Sequence, residues 1–96
     1  MIASFGDTST EDLYHGRKTS QVRRFPADII GAALRKLDML RGAHRLQDLR
    51  SPPGNRLEAL QGAYVGFYSI RVNDQWRLIF RWENDAAHAV ALVDYH

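Results

Sequence analysis

Tyr68-Ser69-Ile70-Arg71-Val72-Asn73-Asp74-Gln75-Trp76-Arg77-Leu78-Ile79-Phe80-Arg81-Trp82 is the stretch whose reading decides the fold. Its apolar residues recur at every second position: Tyr68, Ile70 and Val72 in the first half, Trp76, Leu78, Phe80 and Trp82 in the second. That is the period of a half-buried strand, and the polar break at Asn73 to Gln75 joins two strands into a hairpin. Directly paired antiparallel residues share a face, so the loop length can be chosen by what it pairs. A loop of Asn73 and Asp74 alone sets Val72 opposite Gln75 and Ile70 opposite Arg77, mixing core with charge. A loop through Gln75 pairs Val72 with Trp76, Ile70 with Leu78 and Tyr68 with Phe80, and places Arg71 opposite Arg77. In that preferred register one face packs under helices and the other presents Arg71, Arg77 and Arg81.

Working outward, Arg56 to Gln61 reads as a strand leading into a Gly62-to-Gly66 turn, and His88 to Val93 reads as the last strand. Two registers for that last strand remain open. A loop of Glu83 to Ala86 pairs Trp82 with Ala87 and sets Leu92 opposite Arg77, whereas a loop through Ala87 sets Val93 there. Ser51-Pro52-Pro53-Gly54-Asn55 is the clearest break, and before it the period is 3.6. Pro26 suits the first position of a helix whose Ile30, Ala33, Leu34, Leu37 and Leu40 follow i, i+3, i+4, i+7 spacing, with Gly42 as its stop. Arg35, Lys36 and Asp38 then face outward, and Arg45 to Leu49 makes one more turn. Asp7 to Glu11 offers N-caps for a short helix ending near His15 and Gly16, Arg17 to Arg24 reads as a surface linker, and Met1 to Phe5 as an edge strand. Helices first and strands after is an α+β order.

At 96 residues, 45% hydrophobic and 25% charged, the chain fits one domain over 1–96. The absence of cysteine excludes disulfides, thiolate metal sites and cysteine nucleophiles, and suits a reducing cytoplasm. No apolar run approaches the roughly 20 residues of a membrane span. His15, His44, His88 and His96 show no ligand spacing, the glycines form no phosphate loop, and no serine sits in a nucleophile elbow, so neither metal nor cofactor is expected. Charge is uneven: residues 15–50 hold nine cations against three aspartates, and arginines outnumber lysines 11 to 2. Such a segment attracts phosphate, and the arginine fork binds it bidentately. A solvated helix face explains the same charges.

Opposed arginines on a sheet repel unless an anion lies between them. The chain ends Asp94-Tyr95-His96, which sets a carboxylate, a phenol and an imidazole beside that sheet. Histidine titrates near neutrality, and Asp94 with the α-carboxylate favours its charged form. A terminal histidine is otherwise a frayed end.

The Leu57-Glu58-Ala59-Leu60-Gln61-Gly62 segment, the Tyr68-to-Arg77 hairpin and the Asp94-Tyr95-His96 ending together resemble the HigB toxins of plasmid-maintenance toxin–antitoxin modules. The resemblance spans the chain in layout and is most specific over residues 56–96. It implies the RelE/ParE-like fold, a small twisted antiparallel sheet with N-terminal helices packed on one face. It also implies ribosome-dependent mRNA cleavage without metal or cofactor, and a HigA-like helix-turn-helix antitoxin through which alone the toxin would reach operator DNA. By position it assigns Arg77 to the scissile phosphate and Asp94, Tyr95, His96 and Glu58 to the reaction centre. Arg71, Arg81, Gln61 and Arg56 would contact RNA there, and Arg23, Arg24 and Arg45 would support docking on ribosomal RNA. Glu58 stands where some relatives carry histidine, and Gln61 where some carry lysine, which removes one cation and leaves the base open between Glu58 and His96. Two alternatives share the fold: a ParE-like gyrase poison, which needs no acid–base ending, and a toxin that has lost cleavage.

Overall fold

The computed structural model describes residues 1–95, and its order is helices then sheet. Helix α1 (Thr8–Tyr14) begins where Asp7 Oδ1 accepts from the Thr10 amide at 2.7 Å, an N-cap that satisfies one otherwise orphaned donor. A single turn, α2 (Ser20–Arg23), interrupts the stretch expected to be plain linker. Pro26 precedes a 3₁₀ turn at Ala27–Ile29, which runs into α3 (Ile30–Gly42). Ala33, Leu37 and Leu40 of α3 are fully buried, as the 3.6 spacing requires. Lys36 does not face outward as expected. Its Nζ donates to Oδ1 of the buried Asn55, whose Nδ2 donates to the Leu49 and Ser51 carbonyls, and burial lowers the Lys36 pKa. Asn55 thereby ties the proline-rich break to α3.

Strands β1 (Glu58–Ala59), β2 (Tyr68–Arg71), β3 (Trp76–Glu83) and β4 (Ala86–Asp94) form one antiparallel sheet in sequence order. The β2–β3 register is the preferred one: Tyr68 faces Phe80, Ile70 faces Leu78 and Arg71 faces Arg77. The Asn73 side chain fixes the loop by accepting from the Gln75 and Trp76 amides at 2.8 and 2.7 Å. Both candidate β3–β4 registers occur, one on each side of a bulge. Trp82 pairs with Ala87 near the turn, while Arg77 pairs with Val93 at the far end. Between them Ala89 and Val90 oppose the single Phe80, with Ala89 at φ 53. The turn itself is shorter than expected, because Glu83 also pairs with Ala86. Asn84 and Asp85 take φ 51 and 58, the two-residue geometry that matches strand twist.

Three expected boundaries move. Strand β1 is two residues long because Arg56 leaves the Pro53–Asn55 turn at φ 46 and Gln61 starts a 3₁₀ turn, Gly62–Tyr64. The N-terminal segment makes only isolated parallel bridges, Ile2 to Ala87 and Phe5 to Val90. Strand β4 extends to Ala86 and Asp94. The main core joins Leu13, Phe25, Ala33, Leu37 and Leu40 to Ile70, Leu78, Phe80, Val90 and Leu92 of one sheet face. The other face is not simply arginine and water: Leu60, Ile79 and Ala91 are buried there, with Phe67, Val93 and Tyr95 packed against them. Among the described residues no helix is long and apolar enough to cross a membrane.

Candidate active site

On that second face the guanidinium of Arg77 is clamped. Its Nη1 donates to the Ser69 hydroxyl at 2.8 Å and to the Arg56 carbonyl at 3.5 Å, while Nη2 lies 3.5 Å from Oε1 of Glu58. Its Cζ stands 5.8 Å from the centroid of the Tyr95 ring, within cation–π range. The Arg77 side chain is 13% exposed and that of Glu58 is 53% exposed. Strand register explains the convergence. Glu58 pairs with Ser69, Ser69 with Ile79, and Arg77 lies two residues before Ile79 on the same face.

Arg71, directly opposite Arg77, forms an ion pair with Asp74 of the hairpin loop. Each of the two opposed cations thus has its own carboxylate, which offsets their repulsion. Arg81, further along β3, lies with its Cζ 5.3 Å from the Phe67 ring centroid.

The bulge in β4 settles which terminal residue shares this face. Val93 sits opposite Arg77, so alternation brings Tyr95 to the Arg77 side. Asp94 pairs with Trp76 on the other side and accepts from Gln75 Nε2 at 2.9 Å, so the structure does not bring it to Arg77 as the carry-over suggested. His96 lies outside the described residues. Gln61 is exposed at the start of its 3₁₀ turn, and Arg56 contributes its carbonyl. Arg23, Arg24 and Arg45 are exposed on the helical side, with Arg24 over its neighbour Phe25, and none joins the Arg77 cluster. Ser69 was missed as a site residue, although the preferred register already placed it on the Arg71 and Arg77 face. Its small hydroxyl reads as filler until the guanidinium is seen resting on it.

A guanidinium presents five N–H donors, and among the described residues two of the three hydrogen bonds that Arg77 makes are long. It can therefore receive a phosphate while Ser69 holds its plane. Glu58 is a proton acceptor beside that phosphate position, and Tyr95 is an aromatic surface. Among the described residues no group of three or more His, Cys, Asp or Glu stands where it could hold a metal ion.

Residues 3–96 match the family model described as RelE-like toxin of type II toxin-antitoxin system HigB. The chain belongs to this HigB-like toxin family. It is 45% identical over 87 residues to Toxin HigB-1 of Vibrio cholerae serotype O1, covering 91% of this chain and 90% of that one. It is also 42% identical over 69 residues to an uncharacterized protein of Haemophilus influenzae, covering 72% of this chain and 68% of that one. The YoeB-YefM complex from Staphylococcus aureus contains a chain of similar fold, with TM-score 0.61 at 14% identity over 100% of this chain and 98% of that chain. The YoeB/ParE toxin from Agrobacterium tumefaciens gives 0.56 at 16% identity over 99% and 100%. Those identities speak to the fold alone, which is the α+β arrangement the hairpin implied. The HigB-like chain is thus a RelE-like toxin of the type II toxin–antitoxin class.

Proposed function

We propose that this HigB-like toxin is a ribosome-dependent mRNA endonuclease that works without metal or cofactor and arrests translation in the cytoplasm. The observation that carries the reading is the clamped Arg77 guanidinium, held by Ser69 and flanked by Glu58 and Tyr95 on one open sheet face. The 2′-oxygen of one nucleotide attacks its own 3′-phosphorus, and the bond to the 5′-oxygen of the next nucleotide breaks. Arg77 stabilises the extra negative charge of the phosphorane, the largest electrostatic demand of the step. Glu58 takes the 2′-proton, and His96 gives a proton to the departing 5′-oxygen. Tyr95 stacks on a base next to the cut. The products are a 2′,3′-cyclic phosphate and a 5′-hydroxyl, with no water or oxidant consumed.

The whole of 1–96 acts as one toxin domain in this reading. The exposed Arg23, Arg24 and Arg45 of the helical side dock on ribosomal RNA, and a HigA-like helix-turn-helix antitoxin neutralises the toxin and carries it to operator DNA. The test is the chemistry of the cut ends. Purified toxin added to mRNA-programmed ribosomes is expected to leave 5′-hydroxyl ends that a polynucleotide kinase can label directly. Ends bearing 5′-phosphate would indicate metal-assisted hydrolysis instead, and intact mRNA would refute the enzyme reading.

A further inference from the structure

Beyond Arg77 the same face carries an aromatic assembly, Tyr64 and Phe67, that the proposed chemistry does not use and that adjoins Arg81. The loop before β2 closes on itself through Val65 N to Gly62 O at 3.1 Å and Phe67 N to Tyr64 O at 2.9 Å. Gly66 sits at φ 93, a conformation that a side chain would strain. The loop holds the Tyr64 ring edge-on to Phe67, with centroids 6.0 Å apart and planes at 72°. Phe67 in turn lies 5.3 Å from the Arg81 guanidinium carbon. Phe67 is packed against Leu60, Ile79 and Ala91, so it is a fixed pedestal. Tyr64 is 40% exposed and the adjacent Val65 is 70% exposed, two of the four large apolar side chains left open among the described residues. An open aromatic and an exposed cation held against one fixed ring are what single-stranded nucleic acid binds: rings for bases, charge for phosphate.

We propose that Tyr64, Phe67 and Arg81 form a second nucleotide-binding position for single-stranded RNA, next to the scissile phosphate on Arg77. Tyr64 stacks on a base, Arg81 meets the backbone phosphate, and Phe67 positions both. Arg77 and Arg81 lie four positions apart on β3, about 13 Å at strand rise. RNA that reaches both arginines therefore runs along β3. The proposal rests on the endonuclease reading for its ligand, while its geometry is separate from the cutting residues.

The test measures binding and cleavage separately. Affinity for a short single-stranded RNA with 2′-O-methyl groups, which this chemistry cannot cut, is followed by fluorescence anisotropy across salt. Tyr64→Ala is expected to weaken binding roughly 5- to 150-fold, the range for one lost base–aromatic stack, and Arg81→Gln to weaken it through the loss of one phosphate contact. Arg81→Gln should also lower the log–log salt slope by about 0.7. On programmed ribosomes the loss should fall on KM rather than kcat, and Tyr64→Phe, which keeps the ring, should restore it. Unchanged RNA affinity in both variants, or a loss confined to kcat, would overturn the proposal. Equal affinity for duplex and single strand would do the same. If Arg77→Ala still cleaves while Tyr64→Ala binds poorly, the cutting assignment fails and the platform stands.

Discussion

Replacing Ser69 by alanine asks whether Arg77 works because it is held. Ser69 is fully buried and its hydroxyl accepts from Arg77 Nη1 at 2.8 Å, the one short hydrogen bond of the guanidinium among the described residues. The remaining contacts, to the Arg56 carbonyl and Glu58, are both 3.5 Å long. A hydrogen bond to a charged group contributes about 1.5–3 kcal/mol, but Arg77 is 13% exposed and water replaces part of it. About 1.4 kcal/mol of lost orientation is a reasonable remainder, which corresponds to roughly tenfold in rate. Removing one oxygen opens no large cavity, so folding should change by about 1 kcal/mol or less. The assay is single-turnover cleavage on programmed ribosomes, with urea unfolding as control. Arg77→Ala should cost about 10²–10³-fold, the scale of deleting a preorganised charge donor. In that background Ser69→Ala should add nothing, because the two residues act as one unit. A Ser69→Ala effect of equal size with and without Arg77 would refute the clamp.

Arg17 and the Thr19 hydroxyl hold the Asp12 carboxyl below its usual range, so its stabilisation is present above the unfolded pKa and lost as pH falls through the lowered native value. Asp12→Asn should lower the urea midpoint at pH 7 and converge with the parent in acid; a gap independent of pH would contradict this. Ala89→Gly should raise stability by about 0.5–1 kcal/mol by relieving a left-handed alanine. Gly6→Ala should cost about 1–3 kcal/mol, since its Cβ would stand 2.8 Å from the Ala89 carbonyl oxygen. Thermal melts read both, and a destabilised Ala89→Gly would show that the bulge is unstrained. Deleting His96 should abolish toxicity while the chain still folds, and retained toxicity would remove its acid role.

The hairpin was legible because alternation and turn length leave one register that keeps Ile70, Leu78 and Phe80 on the core side. Helix α3 was legible for the same reason at a different period. The register of β4 was not, because it changes at Ala89, and alanine in a left-handed conformation carries no local signal. That single bulge decides that Tyr95, and not Asp94, faces Arg77. The shortness of β1 was hidden for a like reason: Arg56 takes φ 46 without being glycine or asparagine. The extent of the apolar floor under the arginine face was hidden because it draws on Leu60 and Ala91 from strand segments whose registers were unknown. Ser69 and Tyr64 act through contacts between elements, which periodicity does not reveal.

The most direct measurement is a map of mRNA 5′ ends in cells that express the toxin without its antitoxin, run beside Arg77→Ala. New ends positioned by reading frame in the parent, and their loss in a folded Arg77→Ala variant, are the predicted result. Growth arrest with intact mRNA and trapped gyrase–DNA complexes would contradict the account.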